Sequence, residues 1–168
     1  EQLVLSIFDQ TRKIHRLGER ERLYLRVAAI LHDIGKYINL NQHDIHSYSI
    51  IRSQDIMGFS NRELNLIANI ARYHSEEIPE LNHDNYMVLA ESDRIIVSKL
   101  ACILKVAEAL DISHKQKVKS INVRVSGQEL HFEVKTPEDT LLEEWSFESH
   151  VTFFEEVLGY RPVFKHRR

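Results

Sequence analysis

The sequence predicts a mainly α-helical protein: a helical bundle followed by a small α+β lobe. Over the first two thirds of the chain, apolar residues recur at the helical spacing of i, i+3, i+4 and i+7. From Val118 to Val134 they instead alternate with polar residues, which is typical of half-buried strands. The 168 residues, 43% of them hydrophobic, suffice for one buried core. We therefore predict a helical domain over residues 1–114 and a ββαβ lobe over residues 115–168.

The helices are predicted from their apolar faces and from the residues that start and stop them. Ser60 and Glu63 form a capping box, which marks a helix N-terminus. Gly35 is expected to end a helix as a C-terminal breaker. The first helix lacks an N-cap, so we expect it to belong to a longer polypeptide that is truncated here. The expected helices cover residues 3–14, 19–34, 46–54, 60–74 and 86–111, the last interrupted near Ser92-Asp93.

In the lobe, two alternating segments flank Ser126-Gly127-Gln128, a spacing that predicts a β-hairpin. An acidic amphipathic helix is expected over residues 141–158, ended by Gly159, and a last short strand over residues 161–165.

Composition excludes several classes of function. No apolar run approaches the roughly 20 residues that span a bilayer, so we expect no membrane partner. The net charge of −3 gives no overall attraction to DNA, so any anion binding must be local. The single cysteine, Cys102, cannot form an internal disulfide, which favours a cytoplasmic location.

The strongest chemical signal is the pair His32-Asp33. His32 continues the apolar face of Leu25, Ala28 and Ala29, so an imidazole lies where a core leucine is expected. Its carboxylate neighbour makes the pair a candidate metal site. Other candidate ligands also lie at helix ends or on apolar faces: His46, His74, Glu108 and Asp111. His43 is expected to be exposed or to support a ligand.

Nitrogen and carboxylate ligands without thiolates suit Mn, Fe, Co, Zn or Mg. The alternative is that these histidines are only hydrogen-bonded core residues, since buried polar groups are normally paired.

A second candidate site is basic. Lys36 follows the His-Asp pair and is placed to bind a phosphate. Near the lobe boundary, further residues could bind a polyanion by charge: His114, Lys115, Lys117, Lys119 and Arg124. The alternative is a solvated strand edge that lysines protect from pairing.

The segment Leu31-His32-Asp33-Ile34-Gly35-Lys36 resembles the signature of the HD superfamily of metal-dependent phosphohydrolases. Three further segments, His46-Ser47-Tyr48, Ala71-Arg72-Tyr73-His74 and residues 106–114, make the chain similar to the C-terminal region of Ppx/GppA exopolyphosphatases. Members of that family also hydrolyse guanosine pentaphosphate. The resemblance covers nearly the whole chain and implies an HD-type helical domain.

The resemblance implies that the main active site lies in N-terminal actin-like phosphatase domains. This chain has five glycines and no glycine-rich phosphate loop, so we expect it to lack that machinery. It is then expected to bind polyphosphate or a guanosine polyphosphate and to support assembly, including a homodimer. Two departures from a complete HD site stand out: the first histidine of the pattern falls upstream of Glu1, and Glu108 stands where an aspartate is usual.

Two alternatives stay open. One is a stand-alone metal-dependent HD phosphohydrolase that acts on nucleotides or phosphodiesters. The other is a non-catalytic interaction lobe whose histidines only form a buried hydrogen-bond network.

Overall fold

The computed structural model describes residues 1–167, in which helices dominate up to about residue 110 and a three-stranded sheet follows. The α-helices are α1 (Gln2–Gln10), α2 (Arg12–His15), α3 (Glu19–Leu31), α4 (His43–Ser53), α5 (Asn61–Arg72), α6 (Asp84–Met87), α7 (Glu91–Ala109), α8 (Leu141–Glu148) and α9 (Val151–Leu158). A 3₁₀ helix covers Ile34–Tyr37. The strands are β1 (Ile121–Ser126), β2 (Glu129–Val134) and β3 (Arg161–His166). This arrangement confirms the predicted fold class.

Helix α7 is the centre of the fold and packs against α1, α3, α5, α8 and α9. Every residue from Leu100 to Ala107 is buried, so this part of the helix is enclosed on all sides. The buried segment includes one charged residue, Lys105, whose Nζ donates a hydrogen bond to the Ser75 carbonyl. The C-terminal end of α7, which carries Glu108, is therefore held firmly in the bundle.

The sheet has the order β1-β2-β3, with β1 and β2 antiparallel and β2 and β3 parallel. Alternate residues of β2, Leu130, Phe132 and Val134, point into the core, as the period-two pattern predicted. The outer edge of β1 is covered by the side chain of Gln10, which accepts from Val123 N at 2.8 Å and donates to the Ile121 carbonyl at 3.0 Å. One continuous buried cluster runs through the helices and the lobe. Nothing in it marks the predicted boundary near residue 115, which stays a prediction.

The helix predicted over residues 141–158 is two helices, so the lobe is ββααβ. Phe147 and Phe154 both pack on Phe132, with ring centroids 5.2 and 5.8 Å away. The break lies at Ser149, the C-cap of α8, and His150, the N-cap of α9.

Other boundaries differ by a few residues. Helix α3 ends at Leu31 instead of Ile34, and α4 begins at His43 instead of His46. The interruption predicted near Ser92-Asp93 lies at residues 88–90. The capping box of α5 is confirmed, because Ser60 N donates to Glu63 Oε2 at 2.8 Å and Ser60 Oγ accepts from Glu63 N. In residues 1–167, none of the helices has the length and apolar character required to cross a bilayer.

Candidate metal centre

Three imidazoles converge on the carboxylate of Asp33. The Nε2 atoms of His43 and His74 each lie 3.5 Å from Asp33 Oδ1, and that of His32 lies 3.6 Å away. His43 Nε2 and His74 Nε2 are 3.0 Å apart. The donor atoms of His32, Asp33 and His74 all lie within 4.8 Å of one another. Two ligands about 2.1 Å from one ion are separated by about 3.0–3.4 Å, so these spacings fit a shared metal ion with small adjustments.

The backbone fixes which ring nitrogen of each histidine faces the cluster. The Nδ1 atom of His32 lies 2.9 Å from the Ala29 carbonyl, and that of His74 lies 2.6 Å from the Ala71 carbonyl. His43 Nδ1 lies 3.2 Å from the Leu40 carbonyl. Each carbonyl can only accept a hydrogen bond, so Nδ1 carries the hydrogen of the neutral ring and Nε2 is free as a metal ligand. Three nitrogen lone pairs that point at one carboxylate repel it. The arrangement is therefore stable only with a positive charge between them, either protons on the rings or a metal ion.

Charges within the cluster are strongly coupled. Burial opposes protonation of His32, but its contact with Glu108 and the charge of Asp33 outweigh burial and raise the pKa of His32. His32 Nε2 and Glu108 Oε2 are 3.3 Å apart. Burial also disfavours the Asp33 carboxylate, yet His74, Lys36 and His32 hold the pKa of Asp33 well below its usual range. Burial likewise opposes ionisation of Glu108, but His32 lowers the pKa of that carboxyl. The carboxylates are therefore ionised, as metal ligands must be.

Close packing between the 3₁₀ helix and α4 builds this geometry. Gly35 has no positive φ, so it is not the left-handed breaker that the sequence predicted. Gly35 is required because there is no room for a side chain: a Cβ at this position would collide with the His43 carbonyl and the Ser47 backbone nitrogen. Ser47 Oγ accepts from Gly35 N at 2.9 Å and donates to the His32 carbonyl at 2.5 Å. This contact joins α4 to the end of α3 and so places His43 beside Asp33.

The cluster opens into a cleft of about 600 Å³. Polar residues on its wall include Asp33, Lys36, Glu108 and His114, so two of the residues predicted to bind a polyanion, Lys36 and His114, line the same cleft. Lys36 Nζ is 2.5 Å from Asp33 Oδ2. Another part of the wall is formed by α8 and the turn that follows it, through Trp145, Ser146, Ser149 and His150.

Two residues predicted as ligands lie apart from the cluster. His46 is half-buried on α4 and, within residues 1–167, makes no hydrogen bond or ion pair with the cluster. His43, one turn earlier, takes that place, because α4 begins three residues before its predicted start. Asp111 lines a different cavity, where its Oδ1 accepts from Gln116 N at 2.8 Å. Of the two acidic candidates, Glu108 lies beside the cluster, with its Oε2 atom 3.3 Å from His32 Nε2.

His43 was predicted to be exposed or to support a ligand, and its position in the cluster was not predicted from the sequence. A signal was present, since His43 and Ser47 are four residues apart and share one face of a helix that starts at His43. The helix start was the difficulty: Gln42, which precedes it, has a positive φ of 56° and makes no side-chain cap. Without a capping signal, periodicity alone does not show that His43 is helical.

The basic residues near the lobe boundary are not one free surface. Lys117 is 15% exposed and forms an ion pair with Glu143 at 3.1 Å, and its Nζ also donates to the Asp139 carbonyl. Arg124 Nε lies 3.8 Å from Glu133. Lys115 and Lys119 are exposed, and Lys119 lines the cavity of Asp111 together with Glu1. Two of the basic residues that were predicted to bind a polyanion, Lys117 and Arg124, are therefore paired with carboxylates of the same domain.

Residues 1–150 match the family model for Ppx/GppA phosphatase, domain III. The chain belongs to this family. The match confirms the resemblance proposed from the four motifs and assigns the chain to a C-terminal domain of the phosphatase. Helix α9 and strand β3 follow the matched region and complete the sheet of this Ppx/GppA domain.

Proposed function

We propose that this Ppx/GppA domain binds a divalent metal ion at His32, Asp33 and His74 and uses the site to hold phosphate groups. The observation that carries the proposal is the convergence of these three ligands, with His43 in contact with two of them. The donor set of nitrogen and carboxylate oxygen suits Mn, Fe, Co, Zn or Mg. When bound, such an ion supplies positive charge and Lewis acidity to a phosphoryl oxygen.

The residues around the cluster support a phosphate ligand. Lys36 is half-exposed on the cleft wall, and His114 lies on the same wall. Both are able to donate hydrogen bonds to phosphate oxygens. Asp33 and Glu108 would repel a phosphate without a metal, so the cation and the anion are expected to bind together.

In the whole phosphatase, we propose that this domain binds polyphosphate or a guanosine polyphosphate and supports assembly. The actin-like N-terminal domains implied by the family then carry the main active site. The buried, unpaired Cys102 supports a cytoplasmic location.

Metal content tests the central claim. Purified protein, incubated with Mn²⁺ and desalted, is expected to retain about one equivalent by elemental analysis. Asp33→Asn and His74→Ala are expected to weaken Mn²⁺ binding by about 100-fold or more, since changes to groups that merely support ligands already cost about 10- to 100-fold. His43→Ala and His46→Ala form a matched pair on α4: we expect a large loss for the first and no change for the second. Equal losses in the matched pair would contradict the assignment of His43.

A second candidate function is metal-dependent hydrolysis at this site. The fixed Nε2 ligands favour it, because each ring has its tautomer set by a backbone carbonyl. Metal-loaded protein should then hydrolyse a nucleotide or a phosphodiester, and Asp33→Asn should abolish turnover. Metal binding without turnover would contradict hydrolysis and show that the site only binds its ligand.

If the protein binds none of the five metals, the histidines are only a hydrogen-bond network. His32→Ala would then lower the free energy of unfolding without affecting any ligand, as expected for a non-catalytic interaction lobe.

A further inference from the structure

We propose that the cleft beside the histidine cluster binds a nucleotide, with the base stacked on the indole of Trp145. This inference rests on the proposed function, because the phosphates of the nucleotide would lie at the metal site. It adds a residue that would distinguish the two ligand types of the proposed function, because an inorganic phosphate chain has no ring to place on Trp145.

The exposure of Trp145 is the first observation. Trp145 lies on α8, lines the same cleft as Asp33 and His74, and is 75% exposed. Helix α8 is anchored by other residues, since Glu143 and Phe147 are its buried side chains. Tryptophan is usually well buried because its indole is large and apolar. An open indole on a cleft wall is the kind of surface on which bases stack.

The surroundings of Trp145 are the second observation. Ile112 and Leu142 line the cleft beside it and are also partly exposed, so this part of the wall is apolar. The polar part of the wall comes from other elements and includes Lys36 and His43. One cleft therefore combines an apolar aromatic surface with a phosphate-binding surface. A ligand that joins a flat ring to phosphates matches this combination.

Two polar groups on the same cleft wall as Trp145 are available to bind the edge of a base. Within the described part of the chain, neither the Ser146 hydroxyl nor the His150 ring makes a side-chain hydrogen bond. Burial, with a smaller effect of the Lys105 charge, lowers the pKa of His150 to about 4. The ring is therefore neutral near pH 7 and offers one donor and one acceptor. The cleft volume of about 600 Å³ also falls in the usual range for small-ligand sites.

The chain contains a single tryptophan, so its fluorescence reports directly on this site. The probes are GTP, ATP and inorganic tripolyphosphate in the presence of Mn²⁺, with calorimetry to measure affinity. GTP or ATP is expected to quench the emission and to bind more tightly than tripolyphosphate, which carries the same number of phosphates without a base. Stacking on an aromatic residue corresponds to about 5- to 150-fold in affinity.

Variants separate stacking from folding. Trp145→Leu is expected to bind GTP no more tightly than tripolyphosphate, while Trp145→Phe keeps part of the preference. Leu141→Ala is the matched control: Leu141 is 71% exposed on the same helix but does not line the cleft, so its GTP affinity should be unchanged. Equal binding of GTP and tripolyphosphate by the wild type, or undiminished GTP binding by Trp145→Leu, overturns the proposal.

Different results would contradict the metal site and the base-stacking site. If Mn²⁺ and tripolyphosphate bind but no base preference exists, the nucleotide proposal is wrong and the proposed function stands. If no metal binds while GTP still quenches Trp145, the metal site is wrong and the stacking contact is supported. An emission change that depends on protein concentration, and not on GTP, would assign Trp145 to a contact between two copies and overturn the nucleotide site.

Discussion

The histidine cluster and the basic segment His114–Arg124 use charge in opposite ways. In the cluster, three imidazoles and Lys36 face one carboxylate, and fixed ring orientations keep their Nε2 atoms available. In the basic segment, Lys117 is paired with Glu143 inside the fold and Arg124 faces Glu133. A run of charges in sequence therefore says little about a ligand, whereas charges from several elements that meet at one point form a site.

The largest expected effect comes from Gly35→Ala. The added methyl group would collide with the backbone of α4, and we expect a loss of about 3 kcal/mol in the free energy of unfolding, at the upper end for overpacking. Because α4 carries His43, Mn²⁺ affinity should fall as well. Gly18→Ala is the control, since there the new methyl group meets only the flexible end of Glu21. Urea unfolding measures both; equal stability of the two variants would contradict the packing argument.

Lys105→Met probes the buried charge behind the cleft. Burial lowers the pKa of Lys105 to about 8 in the folded protein, from 10.5 as the ordinary value. Between pH 8 and 10.5 the unfolded chain binds more protons, so the free energy of unfolding rises with pH in this window. Relative to Lys105→Met, which lacks this titration, the wild type should gain up to roughly 3 kcal/mol across it.

The control for Lys105→Met is Lys115→Met, which removes an exposed lysine. Its free energy of unfolding should vary with pH as that of the wild type does. Urea unfolding at several pH values between 7 and 10.5 gives the comparison. A constant difference between the wild type and Lys105→Met would show that Lys105 has an ordinary pKa.

The smallest expected effect distinguishes two lysines of the basic segment. Lys117→Met leaves Glu143, whose side chain is 1% exposed, without its cation, and should lower the free energy of unfolding by about 2 kcal/mol. Lys115→Met should leave stability within about 0.5 kcal/mol. Thermal or urea unfolding checks both. If Lys117→Met weakens tripolyphosphate binding without loss of stability, the basic segment is a ligand site after all.

Local features were predictable from the sequence. The capping box of Ser60, the apolar faces of the helices and the alternation in β2 each depend on neighbours in the chain. The sequence also singled out His32, Asp33, His74 and Glu108, because polar residues next to apolar faces are conspicuous, and the structure brings their side chains into one cluster.

Features that depend on packing between distant segments were not predictable. The role of Gly35 is visible only once α4 packs against it. The break between α8 and α9 carries no glycine or proline that would mark it in the sequence. The place of His43 depends on a helix start that lacks a capping side chain. In these cases the local pattern does not show where the helix starts or stops, or what the residue contacts.

The topology of the sheet has a consequence for how the domain folds. Strand β2 lies between β1 and β3, and the other edge of β1 is held by Gln10, so residues near both ends of the described chain meet at one sheet. During synthesis, β1 and β2 can form a hairpin early, but Phe132 and Phe147 stay partly uncovered until Phe154 and Phe164 arrive. Such long-range closure is slow and exposes apolar surface in the meantime. A truncation at residue 150, where the family match ends, would remove α9 and β3 and is expected to leave an aggregation-prone intermediate with exposed apolar surface.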